Sequence, residues 1–301
     1  MIGFVIIRRV SLVLLLLALP AFADGFRDAK KAFDAAFGPP LEAKDREAAI
    51  RGIAPFDTKD AAKLLVGAIP VCRRAYDLLL VERAHVQSGQ IEFPDGGPAP
   101  RLSELKGLID REMRVLEAID DTLAGMRGER TVRYLCREAL PRAKSRHVRV
   151  SVAKALGRIG DVAAVPALQK ALKDKAEQVR GAAARSLGQL KSKEAVPALI
   201  DLLGADSWTL RAAACDALGR IGDLRAIIPL IERLPAEEGR VAEDVAAALT
   251  KLTGQGFGTA TNAWNRWLEA HRELIESGGP LPKAPPLPAK KPEKDEGYYG
   301  I

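Results

Sequence analysis

Histidine and cysteine are scarce in this chain, and that scarcity narrows the chemistry open to it. Among 301 residues there are three histidines and three cysteines. His85, His147 and His271 lie far apart, with no pair at the short spacing that brings two imidazoles onto one metal ion. Cys72, Cys136 and Cys215 are just as scattered; an odd count without close spacing argues against a disulfide framework and leaves room for one bridge and a spare thiol. Aromatic residues make up 5% of the chain, and no convincing run alternates apolar with polar residues, so strands are not expected. The G-x-S-x-G elbow, the Walker phosphate loop and the calcium-loop pattern are missing as well. Asp120-Asp121 and Glu237-Glu238 do not make carboxylate dyads by themselves, because adjacent helical residues point to different sides. No cofactor, no metal and no catalytic residue is therefore assigned.

What the chain has is repetition. Aligned one under another, Val148–Gln178, Val179–Thr209 and Leu210–Arg240 match without a gap at a 31-residue offset, and a worn fourth copy opens at Val241. A fixed period of this size marks stacked supersecondary units, each too small to bury its own apolar face. Val148, Val152, Ala155, Leu156 and Ile159 follow a helical stripe, repeated by Val179, Ala183, Ser186, Leu187 and Leu190. A second column is small in every copy: Ala153, Ala184, Cys215 and Ala246, with Gly157, Gly188, Gly219 and Thr250 beside it. Such a flank lets a neighbouring helix approach closely. Gly160-Asp161 and Gly222-Asp223 punctuate the units, glycine ending one helix in a left-handed turn and aspartate capping the next. Leu168 and Leu172, Leu199 and Leu203, and Leu230 and Leu234 then mark a second helix, with Pro166 and Pro197 in its first turn. The expected fold is all-α: an α-solenoid of helical pairs.

The pattern V-R-x-x-A-A-x-A-L-G-x-I-G-D-x-x-A-V-P-A-L resembles the HEAT-like repeat of the type first grouped with phycobilin lyases. Val179, Arg180, Ala183, Ala184, Leu187 and Gly188 carry it in one unit; Ile159, Gly160, Asp161, Val165, Pro166, Ala167 and Leu168 carry it in another. The resemblance implies that the V-R-x-x-A-A helix is the second of its pair and lines the concave face. It also implies that Arg149, Arg180 and Arg211 tether successive turns to an acid, with Asp174 or Asp206 in that role. As a fold signal the pattern is specific; repeats of this kind serve many unrelated partners.

The array has flanks on both sides. Residues 1–23 read as a signal peptide: Arg8-Arg9, an apolar run from Val10 to Leu19, and Ala21-Phe-Ala23 as a small-x-small cleavage site. The run is short for a membrane span, which takes roughly 20 apolar residues. Residues 24–70 hold an amphipathic helix over Phe26–Phe37, expected to cap the first repeat, and a degenerate repeat. Residues 71–126 read as an inserted helical hairpin with helices at about Val71–Gln87 and Ser103–Met126, either projecting from the solenoid or packed as a pair of overgrown repeat helices. The second helix is striped by Leu105, Leu108, Ile109, Met113, Leu116, Ile119 and Leu123. The regular array occupies 127–252. The glycines of Thr253–Gly258 follow a helix rather than a strand, so they form a turn instead of a phosphate cradle; the helix after them, with Trp264 and Trp267, caps the last repeat over 253–276. This ending resembles the closing segment of exported bacterial HEAT-repeat proteins. Residues 277–301 are rich in proline and lysine, contain Pro282-x-x-Pro285 and Pro285-x-x-Pro288, and read as a disordered or polyproline-like spacer.

Charge supplies the one candidate surface. Lysine and arginine exceed aspartate and glutamate by +7, or +5 once Arg8 and Arg9 leave with the signal peptide. Arg158, Gln189, Arg220 and Lys251 fall in one repeat column, with Lys154 and Arg185 beside it and Asp216 breaking that second row. These rows predict a mild basic strip inside the curve, with Trp208 either an exposed anchor or packed on Leu203. The function expected is a non-catalytic protein–protein interaction scaffold, exported to the periplasm or beyond, that holds a protein or peptide, acidic ones included. Lys154, Arg158, Arg185, Arg220, Lys251 and Trp208 are the partner-binding candidates. A lyase-like or chaperone activity is the alternative that the repeat family implies. Nucleic-acid binding through the strip is a weaker one, since export and a modest net charge both disfavour it.

Overall fold

The computed structural model describes residues 23–37, 43–88 and 102–281, and among them there are helices and turns but no strand. Two compact units divide between Ala195 and Val196. The signal-peptide reading falls on residues 1–22, outside the described residues apart from Ala23, and the tail beyond residue 281 lies outside them too.

In the first unit, α1 (Ala23–Ala36) buries Ala29, Phe33 and Ala36, which lie on one helical face, and packs on α2 (Ala43–Ile53). Phe26 meets Phe56 edge-on, ring centres 5.3 Å apart. α3 then runs unbroken from Lys59 to Ser88, straight through Pro70. The sequence reading, made on apolar periodicity, starts a helix at about Val71; the structure carries the helix through Pro70 even though proline removes one backbone bond and crowds the carbonyl four residues back. The helix survives because its buried stripe of Ala61, Leu65, Ala68, Ile69 and Cys72 keeps phase across the proline. Beyond Cys72 no residue of α3 is fully buried, and Leu78 and Val81 stand exposed.

α4 (Leu102–Gly125) returns alongside α3 and also packs on α2. Its buried face corrects the predicted stripe. Leu108 and Met113 are each 42% exposed, while Glu112 is inside at 5%. Arg46 of α2 explains the exchange, because its guanidinium makes a two-pronged ion pair with that carboxylate, Nη1 donating to Oε2 at 2.9 Å. Burial raises the pKa of the Glu112 carboxyl, the first and largest influence on it, although Arg46 pulls the other way. A short helix α5 (Glu129–Tyr134) passes through a π-turn at Leu135–Ala139 into α6 (Leu140–Arg142).

The repeats begin with α7 (Arg146–Ile159), α8 (Val165–Ala171) and α9 (Glu177–Gln189). The predicted punctuation is present. Gly160 ends α7 at φ 81°, and the Asp161 carboxylate accepts from the Ala163 N–H at 2.8 Å. The small flank does what its size suggests. A methyl group built on Gly157 would lie 2.6 Å from the Ser186 side chain, so only glycine lets α7 and α9 come this close. Ser186 uses that proximity to donate its hydroxyl to the Ala153 carbonyl at 2.8 Å.

The second unit repeats the plan with α10 (Val196–Asp201), α11 (Trp208–Ile221), α12 (Ile227–Arg233) and α13 (Gly239–Thr253). Gly222 and Gly254 close α11 and α13, both at φ 75°. α14 (Thr261–Glu276) follows the glycine turn and packs on α12. Its Trp264 is fully buried, meets Phe257 edge-on and donates its indole N–H to the Gly258 carbonyl at 2.8 Å. The turn thus anchors the aromatic helix. No described helix is long and apolar enough to cross a membrane.

Candidate functional site

Two sets of charged side chains lie along the repeats, and the structure separates them by what they touch. The first is the arginine at the second position of each unit. Arg149 is 5% exposed and grips Asp174 with Nε and Nη2 at 2.7 and 2.9 Å. Its remaining nitrogen donates to the carbonyls of Ala143 and Lys144. Arg211 does the same in the second unit, but its acid is Glu237, at 2.6 and 3.0 Å. Asp206 contributes only its backbone carbonyl, alongside that of Ala205. Arg180 donates to the Asp174 and Lys175 carbonyls. Burial would raise the pKa values of Asp174 and Glu237, yet hydrogen bonds from their arginines win and hold both below the usual range. The Arg149–Asp174 and Arg211–Glu237 clasps are saturated and structural.

The second set is the predicted strip, and it is less basic than its column suggests. In the first unit α4, α7 and α9 lie side by side and enclose a groove of about 420 Å³. Lys154 and Arg158 of α7 and Arg185 of α9 line it, all three exposed. Opposite them α4 presents Glu117, Asp120 and Asp121. Arg158 donates to Asp121 at 2.8 Å. The Asp120 carboxyl has a raised pKa chiefly from burial, against the opposing pull of a Ser151 hydrogen bond and of Lys154. In the second unit Arg220 pairs with Asp216 at 2.8 Å, and Lys251 approaches the same carboxylate at 3.5 Å. The strip is therefore a mixed-charge surface. A repeat-column comparison misses this because the acids on α4 precede the regular array and carry no 31-residue signal.

Trp208 is found exposed, at 56%, rather than packed away on Leu203. It opens α11 and lines a separate groove of about 550 Å³ with Pro235, Ala236, Glu238, Arg240 and Val241. The thiols offer no reactive centre. Burial first, with acids adding to it, pushes Cys72 and Cys136 up to about 11 and Cys215 up to about 12, so all three stay protonated near neutrality. His271 stacks on Trp267 with its Nδ1 2.7 Å from that residue's carbonyl. Among the described residues no group of histidine, cysteine and acid could hold a metal ion.

A family model for HEAT repeats matches residues 105–181 and 165–250, which span α4 to α13. The chain is a HEAT-like repeat protein. The match begins within α4 and leaves α3 outside it. Among solved structures, the complex of CpcE and CpcF of phycocyanin lyase from Nostoc sp. PCC7120 is 28% identical, covers 59% of this chain and 73% of its own, and has a TM-score of 0.40. Two engineered proteins are 19% and 18% identical; they cover 84% and 89% of this chain and 98% and 84% of their own, with TM-scores of 0.40 and 0.37. No curated protein matches the chain.

Proposed function

We propose that this HEAT-like repeat protein is a non-catalytic scaffold, exported from the cytoplasm, that holds a protein or peptide in the groove along α4, α7 and α9. The observation carrying this reading is the groove itself. Cations and carboxylates stand exposed along its walls, while the helices beneath close-pack through Gly157 and Ser186. A rigid floor with outward charges of both signs suits a partner segment that is itself of mixed charge, since complementary potentials favour the right register and penalise the wrong one. This reading departs from the acidic partner that the basic column alone suggests. Export rests on the Arg8-Arg9 and Val10–Leu19 pattern, with the working chain starting at Asp24, the second residue of α1.

The test places a photo-crosslinking residue at position 185, and separately at position 170 on α8, in the exported protein. One discrete adduct from position 185 and none from position 170 is expected. Reversing Lys154, Arg158 and Arg185 to glutamate should then slow association with the captured partner more than tenfold at low salt, and less at high salt. Equal crosslinking from both positions would place binding elsewhere. Intact mass of the exported chain checks the start at Asp24, and turnover of a small molecule by the purified chain would replace the scaffold with an enzyme.

A further inference from the structure

The groove at Trp208 belongs neither to the saturated arginine tethers nor to the mixed-charge face. Of the three tryptophans, Trp264 and Trp267 are at most 8% exposed, and only Trp208 presents its indole to solvent. The polar floor beneath it is committed: Glu237 is held by both Arg211 and Arg233. What remains free to meet a ligand is a flat apolar surface made by the indole, Pro235 and Ala236, bordered by two outward charges of opposite sign, Glu238 and Arg240. A surface like this offers little backbone pairing. It selects a segment that brings its own flat apolar faces and needs no hydrogen-bonded ladder, which describes a polyproline helix on an aromatic groove.

We propose that this groove is the docking site for the chain's own proline-rich C-terminal segment, residues 282–301. A polyproline helix has three residues per turn, so Pro282, Pro285 and Pro288 would share one edge and Lys291 would extend it. Lys291 and Glu293 then supply charges opposite to those of Glu238 and Arg240. Reach is not limiting. The described chain leaves off at Leu281 in the same compact unit as Trp208, and twenty further residues at about 3.1 Å each extend roughly 60 Å. A unit of this size is roughly 30 Å across. The proline repeat thereby acquires a reader within its own chain.

Acrylamide quenching of tryptophan fluorescence tests the assignment, because Trp264 and Trp267 are shielded by the fold and Trp208 supplies the accessible component. The purified full chain is compared with a chain ending at Leu281. Removing the tail should raise quenching several-fold, and a synthetic peptide of residues 280–296 added to the shortened chain should restore protection along a saturating curve. Pro285→Ala combined with Pro288→Ala in the full chain should mimic the truncation. Trp208→Phe should abolish the difference while leaving the circular dichroism unchanged. Equal quenching with and without the tail, and no response to the peptide, would overturn the proposal. Protection that falls away on dilution would also overturn it, by assigning the tail to a second copy.

Discussion

The helical pair formed by α3 and α4 and the repeats from α7 to α13 are built by different means, although the family match that spans the repeats reaches back into α4. The repeats come together through deletion of bulk. Glycine, alanine and serine on one flank bring helices into backbone contact, and the polar groups are confined to an edge. The earlier pair keeps a charged couple, Arg46–Glu112, within its packed face and threads a proline through its longest helix. Regular packing by small residues tolerates copying. Packing around an ion pair depends on two particular side chains.

That contrast is sharpened first by breaking the ion pair. Glu112→Ala should leave the Arg46 guanidinium buried without a counter-charge and cost about 3–5 kcal/mol, the usual penalty for half a buried pair. Replacing both residues by apolar ones of similar volume should recover most of that loss in a denaturant titration. A double variant as weak as the single one would mean that the pair shapes the fold in some other way. In the repeats the corresponding test is Leu187→Ala. The side chain is fully buried, so a loss of about 2–5 kcal/mol is expected from transfer and cavity terms. Lys191→Ala on the adjacent turn should stay within about 0.5 kcal/mol.

A further substitution at the same position has the opposite sign. Lys191 holds φ 51°, at the place in its unit that Gly160 and Gly222 occupy in theirs. A left-handed lysine costs roughly 1–2 kcal/mol, of which the greater freedom of unfolded glycine returns part. Lys191→Gly should therefore stabilise the chain by about 0.5–1 kcal/mol, read as a higher denaturation midpoint with an unchanged slope. A loss of stability would mean that the lysine side chain contributes something its backbone conformation does not reveal.

The same contrast explains what could be read in advance. Repeat length, helix ends, the aspartate caps and the close-packed column were all legible, because each depends on residues within one unit or at a fixed offset from it. Leu108 and Met113 were misplaced because periodicity ranks a methionine above a glutamate as core. Nothing local says that Arg46, 66 residues earlier, will neutralise Glu112. The helix start at about Val71 was misplaced for a related reason: packing on α4 carries α3 straight through Pro70, and no local pattern records that packing. The candidate strip was half legible. Its cations repeat with the array, and its acids Asp121 and Asp120 come from a helix outside the period.

The arginine tether also bears on how such a chain can lengthen. Arg149 and its acid Asp174 lie within one 31-residue stretch, as do Arg211 and Glu237. Duplicating that stretch in a gene copies donor and acceptor together, and the backbone carbonyls that complete the clasp come with any preceding turn. A new repeat can thus enter without burying an unmatched charge, the defect that most often makes an insertion intolerable. The Arg46–Glu112 couple has no such property, since copying either helix alone would strand one of its members. Growth by duplication is open to one half of this molecule and closed to the other.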